Sequence, residues 1–430
     1  MAEKGIREYD AKRMMARALP EFSGGAFHMD DRLVLVGPET DLDRLGDDHP
    51  WLREERLVAK PDQLFGKRGK NNLLYIDRPL DEVVAWIRER MNKEVTIVQT
   101  TGETTGVLTH FLIEPFVPHE VEYYLAITTH RDHDTIHFST HGGVDIEEVW
   151  ETVRTLDVPI LSTIDDVDVE GFLPDDLGDR RSVVARFITA LYRMLVDYHF
   201  TYLELNPLTF VGDRVVPLDT VAKVDDYASF QCAEMWGDLE FPSPFGMVKT
   251  EEEEYVAELD ERTGASLKLT VLNPKGRVWN LVAGGGASVI YADTVADLGF
   301  AHELANYGEY SGNPSTELTY EYTKTILDLM TRETDPQGQP KYLLIGGGIA
   351  NFTDVAKTFT GIIQALEEYA EKLRETNVKI YVRRGGPNYK EGLEKMRRVG
   401  ERIGVPVEVY GPETHMTKIV SMALAGEEVS

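Results

Sequence analysis

From about residue 265 the chain alternates between short apolar runs and helical patterns, and each change of pattern is marked by glycine. Strands are read at 278–283, 342–345, 379–382 and 407–410, with helices near 288, from 354 and from 389. Alternation of this kind predicts a parallel, doubly wound sheet. Three strand ends carry glycine clusters: VAGGGAS (282–288), IGGGIANFT (345–353) and VRRGGPN (382–388). Ligands of such sheets bind beyond the carboxyl ends of the strands, where helices begin. Glycine lets the backbone approach an anion closely, and exposed N–H groups at a helix start attract negative charge. Asn351 and Thr353 add side-chain donors there, and Arg383 and Arg384 can grip a carboxylate with paired hydrogen bonds. One such loop alone is commonly a turn; three at successive strand ends predict a pocket for a polyanion.

Residues 1–240 have a different texture. Helices are predicted at 9–19, 80–91 and 182–198, and strands at 95–100, 123–129 and 135–139, without regular alternation, so this part reads as α+β. The stretch TYLELNPLTFVGDRVVPLD (201–219) reads as two strands joined at Gly212-Asp213. It is either a surface hairpin or a clamp that presents Asn206 and Asp219 to Mg²⁺, a hard cation content with one or two protein oxygens plus phosphate and water. GKRGK (66–70) is either a solvated basic loop or a cover for phosphates, with Lys60 and Arg68 supplying charge. FLIEPFVPHEVEYY (111–124) bends at its prolines, as a domain hinge or to offer backbone groups to an adenine edge, with Glu122 placed for ribose hydroxyls. FPSPF (241–245) and an acidic run follow, and predict a linker over 241–264 between a region of two subdomains (about 1–112 and 113–240) and a domain at 265–430.

At 430 residues the chain exceeds a single core. A formal net charge of −29 excludes nonspecific nucleic-acid or anionic-membrane binding, which needs basic patches. Anionic ligands must then rely on local Lys, Arg and backbone N–H groups. Cys232 is the only cysteine, which excludes an internal disulfide and a cysteine metal cluster. No apolar run approaches a membrane span and the N-terminus lacks a signal-peptide core, so a cytoplasmic protein is expected. His130, His133, His137 and His141 are either a metal site on one strand face or ordinary strand histidines.

Several long motifs carry a family resemblance. REYDAKRMMARALP (7–20), KPDQ with KRGK, LIEPFVPH, and ELNPL followed by Asp219 resemble the ATP-grasp β subunit of succinyl-CoA synthetase. WGDLEFPSPFG, GASLKLTVLNPKGR, AGGGASV, ELANYGEYSGNPS, GGGIANFT, RRGGPNYKEGL and ETHMT resemble, in order and across the chain, the N-terminal part of ATP-citrate lyase. The resemblance implies an ATP-grasp fold followed by a flavodoxin-like citrate domain. It implies ATP at Lys60, Arg68, Gly69, Pro115, Val117 and Glu122, and Mg²⁺ at Asn206 and Asp219. A further metal contact is implied at Asp260, Thr263 and Ala265, and citrate at Gly312, Asn351, Thr353, Tyr369 and Arg384. No motif resembles the phosphohistidine loop, the CoA-binding domain or the citrate-synthase-like domain, so no catalytic residue is expected here. The chain is expected to be one subunit of a hetero-oligomer whose α-type partner carries those parts and brings CoA, giving acetyl-CoA and oxaloacetate. The large subunit of a citryl-CoA synthetase is the alternative, and a non-catalytic citrate- or nucleotide-binding regulator the remote one.

Overall fold

The computed structural model describes residues 3–99, 102–143, 146–262, 264–350 and 352–424. It divides into two compact units, residues 1–248 and 249–430.

The first unit is built on two main sheets. In the larger, Glu3–Ile6, Thr220–Asp225, Phe200–Val211, Tyr123–Thr129, His133–Ser139 and Arg154–Pro159 lie side by side, all antiparallel, and Arg214–Pro217 pairs with Phe200–Val211. The helices Glu8–Phe22 and Arg181–Asp197 pack against it. Their apolar stripes follow the helical repeat: Ala11, Met14, Met15 and Ala18 on one, Val184, Phe187, Ile188 and Leu191 on the other, all buried. The smaller sheet has the order Val34–Val36, Phe111–Pro115, Leu57–Pro61, Tyr75–Arg78. Two sequence boundaries move accordingly. The division near 112/113 falls inside the strand Phe111–Pro115, and the N-terminal strand and helix join the core of the larger sheet rather than the smaller one. The hairpin Lys93–Gln99/Gly102–Leu108 is the third sheet of this unit.

In the second unit Val278–Ala283, Asn306–Ser311, Lys341–Gly347, Val378–Arg383 and Val407–Tyr410 are parallel, in spatial order 2-1-3-4-5. Ser266–Val271 adds an antiparallel edge. Every residue of Val278–Ala283 is buried because both faces are covered. Trp279 and Leu281 point into one core with the helices Thr316–Thr331, Val355–Glu368 and Tyr389–Ile403. Val278 and Val282 point into the other, with the helices Gly285–Val295 and Lys418–Leu424. The stretch read as linker contains the helix Glu251–Glu261, closed at its start by a Thr250/Glu253 capping box, and its Val256 and Leu259 enter the second core. The acidic run is thus a helix start, and the break is confined to the residues before it.

Gly361 lets two of these helices touch: a Cβ there would stand 2.3 Å from the Thr316 carbonyl oxygen and 2.8 Å from the Tyr320 nitrogen. Alanine would raise intrinsic helix propensity by about 1 kcal/mol. Gly361→Ala is nevertheless expected to destabilise the chain by about 1–3 kcal/mol through overpacking, seen as a lower urea midpoint; an unchanged or higher midpoint would show that the two helices separate freely.

Candidate functional site

A cavity of about 540 Å³ opens in the first unit. Its walls come from both main sheets, and its lining is of two kinds. Val58, Ile76, Val117, Tyr124 and Ile146 give apolar surface, with the Trp150 ring set edge-to-face on Tyr124 at 6.1 Å. Lys60, Arg68, Glu114 and Asp219 give a charged part. Lys60, Arg68, Gly69, Pro115, Val117, Glu122, Asn206 and Asp219, drawn from separate stretches of sequence, all line this one cavity.

Backbone pairing sets the metal-ligand candidates. Phe200–Val211 turns at Gly212 (φ +67°) into Arg214–Pro217, and the Leu218 N–H then donates to the Pro207 carbonyl at 2.8 Å. The Asn206 N–H donates to the Asp219 carbonyl at 3.0 Å, which brings the two side chains to the same edge. Asn206 Oδ1 accepts from the Gly143 N–H at 2.7 Å, and Asp219 Oδ1 from Arg68 Nη1 at 2.8 Å. Burial pushes the Asp219 carboxyl up despite the opposing pull of Arg68. One amide and one carboxylate oxygen fit Mg²⁺, which keeps water and phosphate oxygens for its other positions. Among the described residues no group of three or more His, Cys, Asp or Glu could hold a metal by itself. His130 and His133 stack at 4.8 Å instead of forming such a group.

The charged part is an alternating ring of buried ions. Lys60 Nζ donates to Glu8 Oε1 (2.7 Å) and to the Leu218 carbonyl (2.5 Å), and forms an ion pair with Glu114 Oε1 at 2.9 Å. Lys12 Nζ bridges the same two carboxylates, at 2.7 Å from Glu8 Oε1 and 2.7 Å from Glu114 Oε2. Arg68 Nη1 joins Glu8 Oε2 to Asp219. Burial would raise Glu8, but Lys12, Lys60 and Arg68 hold it far below the usual carboxylate range. Asp62 fixes the geometry by accepting the Glu8 and Tyr9 N–H groups at 2.9 and 3.0 Å, which pins the helix start to the strand of Lys60. Glu8, Lys12, Asp62 and Glu114 were not picked out as site residues in sequence. Their one local signal is the i,i+4 spacing of Glu8 and Lys12.

The carboxyl edge of the second unit's sheet gathers Gly312, Thr353 and Arg384, each just past a strand. The two arginines differ. Arg383 donates to the carbonyls of Thr414 (2.9 Å), Gly347 (2.9 Å) and Pro412 (3.3 Å), so it is a structural clamp rather than a ligand grip. Arg384 donates from Nη1 to the Gly348 carbonyl at 2.8 Å, while its buried Nε has no partner among the described residues. The Tyr310 hydroxyl is likewise buried; burial pushes it up against the lowering effect of Arg384 nearby. Gly312 (φ +74°) lies against Ala265, whose Cα a Cβ would meet at 3.0 Å. Tyr369 is not brought to this edge. It caps the far end of Val355–Glu368, about 20 Å along the helix from its start at a 1.5 Å rise per residue, and its hydroxyl faces Asp328 at 3.4 Å. Asp260 is not set up as a metal ligand: its oxygens take the Leu267 N–H (2.6 Å) and Lys268 Nζ (2.5 Å). It belongs to the second unit, apart from the Asn206 and Asp219 pair of the first. Asn351 and Thr263 lie outside the described residues.

Comparison with known proteins agrees with this division. The family model described as the ATP-citrate synthase ATP-grasp domain matches residues 2–236, and the one described as ATP citrate lyase citrate-binding matches 247–426. ATP-citrate synthase alpha chain protein 2 of Arabidopsis thaliana is 47% identical over 436 residues, covering 99% of this chain and 98% of that protein. The Homo sapiens ATP-citrate synthase is 48% identical, but the match spans only 38% of its length. A solved structure of ATP citrate lyase from Methanothrix soehngenii, in complex with citrate and coenzyme A, superposes with a TM-score of 0.90 at 56% identity. That match covers 98% of this chain and 100% of that one.

Beside the ion ring, Asp10 is pushed up to about 6, by burial first and then by the charges of Asp62 and Asp238, against the pull of Arg7 and Arg13. A raised carboxyl costs stability once it must ionise, so the cost is complete above about pH 6 and absent below its ordinary value of 3.8. Asp10→Asn is expected to stabilise the chain at pH 7 by at most ~3 kcal/mol and to change nothing below about pH 4. Thermal melts across that range check this.

Proposed function

The chain belongs to the ATP-citrate synthase family, and on that premise we propose that it binds Mg-ATP in the first unit and citrate in the second, as the β-type subunit of a split ATP-citrate lyase. The observation that carries this reading is the convergence of eight residues, from separate stretches of sequence, on one cavity lined by apolar side chains and by a buried ring of paired ions. The apolar lining receives the adenine, Glu122 the ribose hydroxyls, and Lys60, Arg68 and the Gly69 backbone the phosphates. Mg²⁺, held by Asn206 and Asp219, would neutralise phosphate charge when bound. In the second unit the 2-1-3-4-5 strand order supports a flavodoxin-like domain, whose ligands lie at the carboxyl edge. There Arg384, Thr353 and Gly312 take the citrate carboxylates, and Asn351 is assigned to the same ligand by its motif alone.

The chemistry is phosphoryl transfer, which asks the protein mainly for positioning and charge neutralisation. A partner histidine attacks the γ-phosphorus, forming a P–N bond as the bond to ADP breaks. A citrate carboxylate oxygen then takes the phosphoryl group and releases the histidine. The thiolate of CoA displaces phosphate from this acyl phosphate to give citryl-CoA, which the partner cleaves to acetyl-CoA and oxaloacetate. This chain's contribution is to hold the two substrates and to offer donors to the charge that moves between them.

Arg384→Ala tests the assignment. With the partner subunit present, oxaloacetate formation from citrate, CoA and ATP is expected to fall by at least ~30-fold. Mg-ATP affinity of the isolated chain, read by calorimetry, should stay within about twofold of the parent, because the nucleotide residues lie in the other unit. Equal loss of both would sink the division of substrates between the units.

A further inference from the structure

Each cation of the ion ring serves two carboxylates, and Arg68 is the one shared with Asp219. Lys60 is paired with Glu8 and Glu114 and donates to the Leu218 carbonyl, whereas Arg68 Nη1 lies between Glu8 and Asp219, and its buried Nε has no partner among the described residues. Asp219 is the single carboxylate among the candidate metal ligands of the first unit, so whatever engages it competes with a cation for its oxygens. Glu8 is fully buried, is anchored through its own N–H to Asp62, and touches Lys12, Lys60 and Arg68 at once. Without its charge, three cations would face Glu114, Asp219 and Asp62, and Arg68 Nη1 would keep its ion pair with Asp219 but lose the one with Glu8.

We propose that Glu8 is a positioning residue of the nucleotide site: its carboxylate shares Arg68 Nη1 with Asp219 Oδ1 and so limits how far that guanidinium neutralises the carboxylate that would meet the divalent cation accompanying the nucleotide. The inference rests on the preceding reading of this cavity as the Mg-ATP site. It makes a prediction opposite in sign to simple electrostatics. Removing a negative charge beside a phosphate site should, by Coulomb attraction alone, tighten anion binding with or without metal. Loss of positioning should instead weaken binding, and only where the metal takes part.

The test is calorimetric titration of the full 430-residue chain with ATP, in the presence and absence of Mg²⁺. For Glu8→Gln, which keeps the side-chain shape, the Kd for ATP with Mg²⁺ is expected to rise by about tenfold or more, in the range typical of outer-shell ligand partners. The Kd without Mg²⁺ should change by less than about twofold. A merely structural role would lower the unfolding midpoint or the binding-competent fraction without creating this metal-dependent split. An equal change in both titrations, or tighter binding, overturns the inference. If Glu8→Gln gives no cooperative melt, Glu8→Asp replaces it, since the charge is kept but withdrawn by one methylene. A smaller loss confined to the Mg²⁺ titration then supports the positioning role, and its absence refutes it. Failure of the parent chain to bind ATP under either condition would instead refute the nucleotide reading itself, so the two failures are distinguishable.

Discussion

Removing a carboxylate from water costs several kcal/mol even after the protein relaxes around it, and the cost is recovered only when opposite charges and hydrogen bonds surround it in good geometry. Glu8 is such a carboxylate, and the first unit is organised around meeting its needs. Lys12 comes from the same helix, Lys60 from Leu57–Pro61, Arg68 from the glycine-flanked loop, and Glu114, the second acid of the ring, from Phe111–Pro115. The ring therefore ties the N-terminal helix, which packs in the core of the larger sheet, to two strands of the smaller one. It also reaches the end of the hairpin through the Leu218 carbonyl and Asp219. The charged wall of the cavity is a network in which Lys12, Lys60, Arg68, Glu8, Glu114 and Asp219 each have a partner of opposite charge.

The second unit solves a similar problem with backbone in place of ions. An anion held at the carboxyl edge of a parallel sheet in a chain of net charge −29 needs local donors, and the glycine clusters allow close approach there. Adjacent arginines then divide the work. Arg383 donates to three carbonyls and fixes the loops, while Arg384 gives one hydrogen bond to Gly348 and lies by the buried Tyr310 hydroxyl. Two identical side chains in succession have unlike roles because Arg383 is the last residue of the strand and Arg384 the first of the loop after it.

Much of this was legible in sequence where the physics is local. Val278–Ala283, Tyr123–Thr129 and Val407–Tyr410 were placed to the residue, and the helix from 389 began as read, because apolar periodicity and glycine punctuation are short-range signals. The acidic run 251–254 read as a solvated linker or a helix start, and it is the start of the helix Glu251–Glu261, whose length the linker reading over 241–264 did not show. Of the site, Asn206 and Asp219 could be paired because a hairpin joins them. Tyr369 could not be placed, since the helix that separates it from Thr353 carries it to the other end of the sheet.

The sequence by itself determined the doubly wound half, the glycine-marked strand ends, the Asn206–Asp219 hairpin and the family to which these motifs point. Only the tertiary structure decided which charges meet. Glu8 lies 52 residues from Lys60 and 60 from Arg68, and Asp219 a further 151 beyond Arg68. Nothing in local propensity encodes those encounters. They follow from burial, because a charge taken out of water must find its counter-ion wherever the packed chain supplies one.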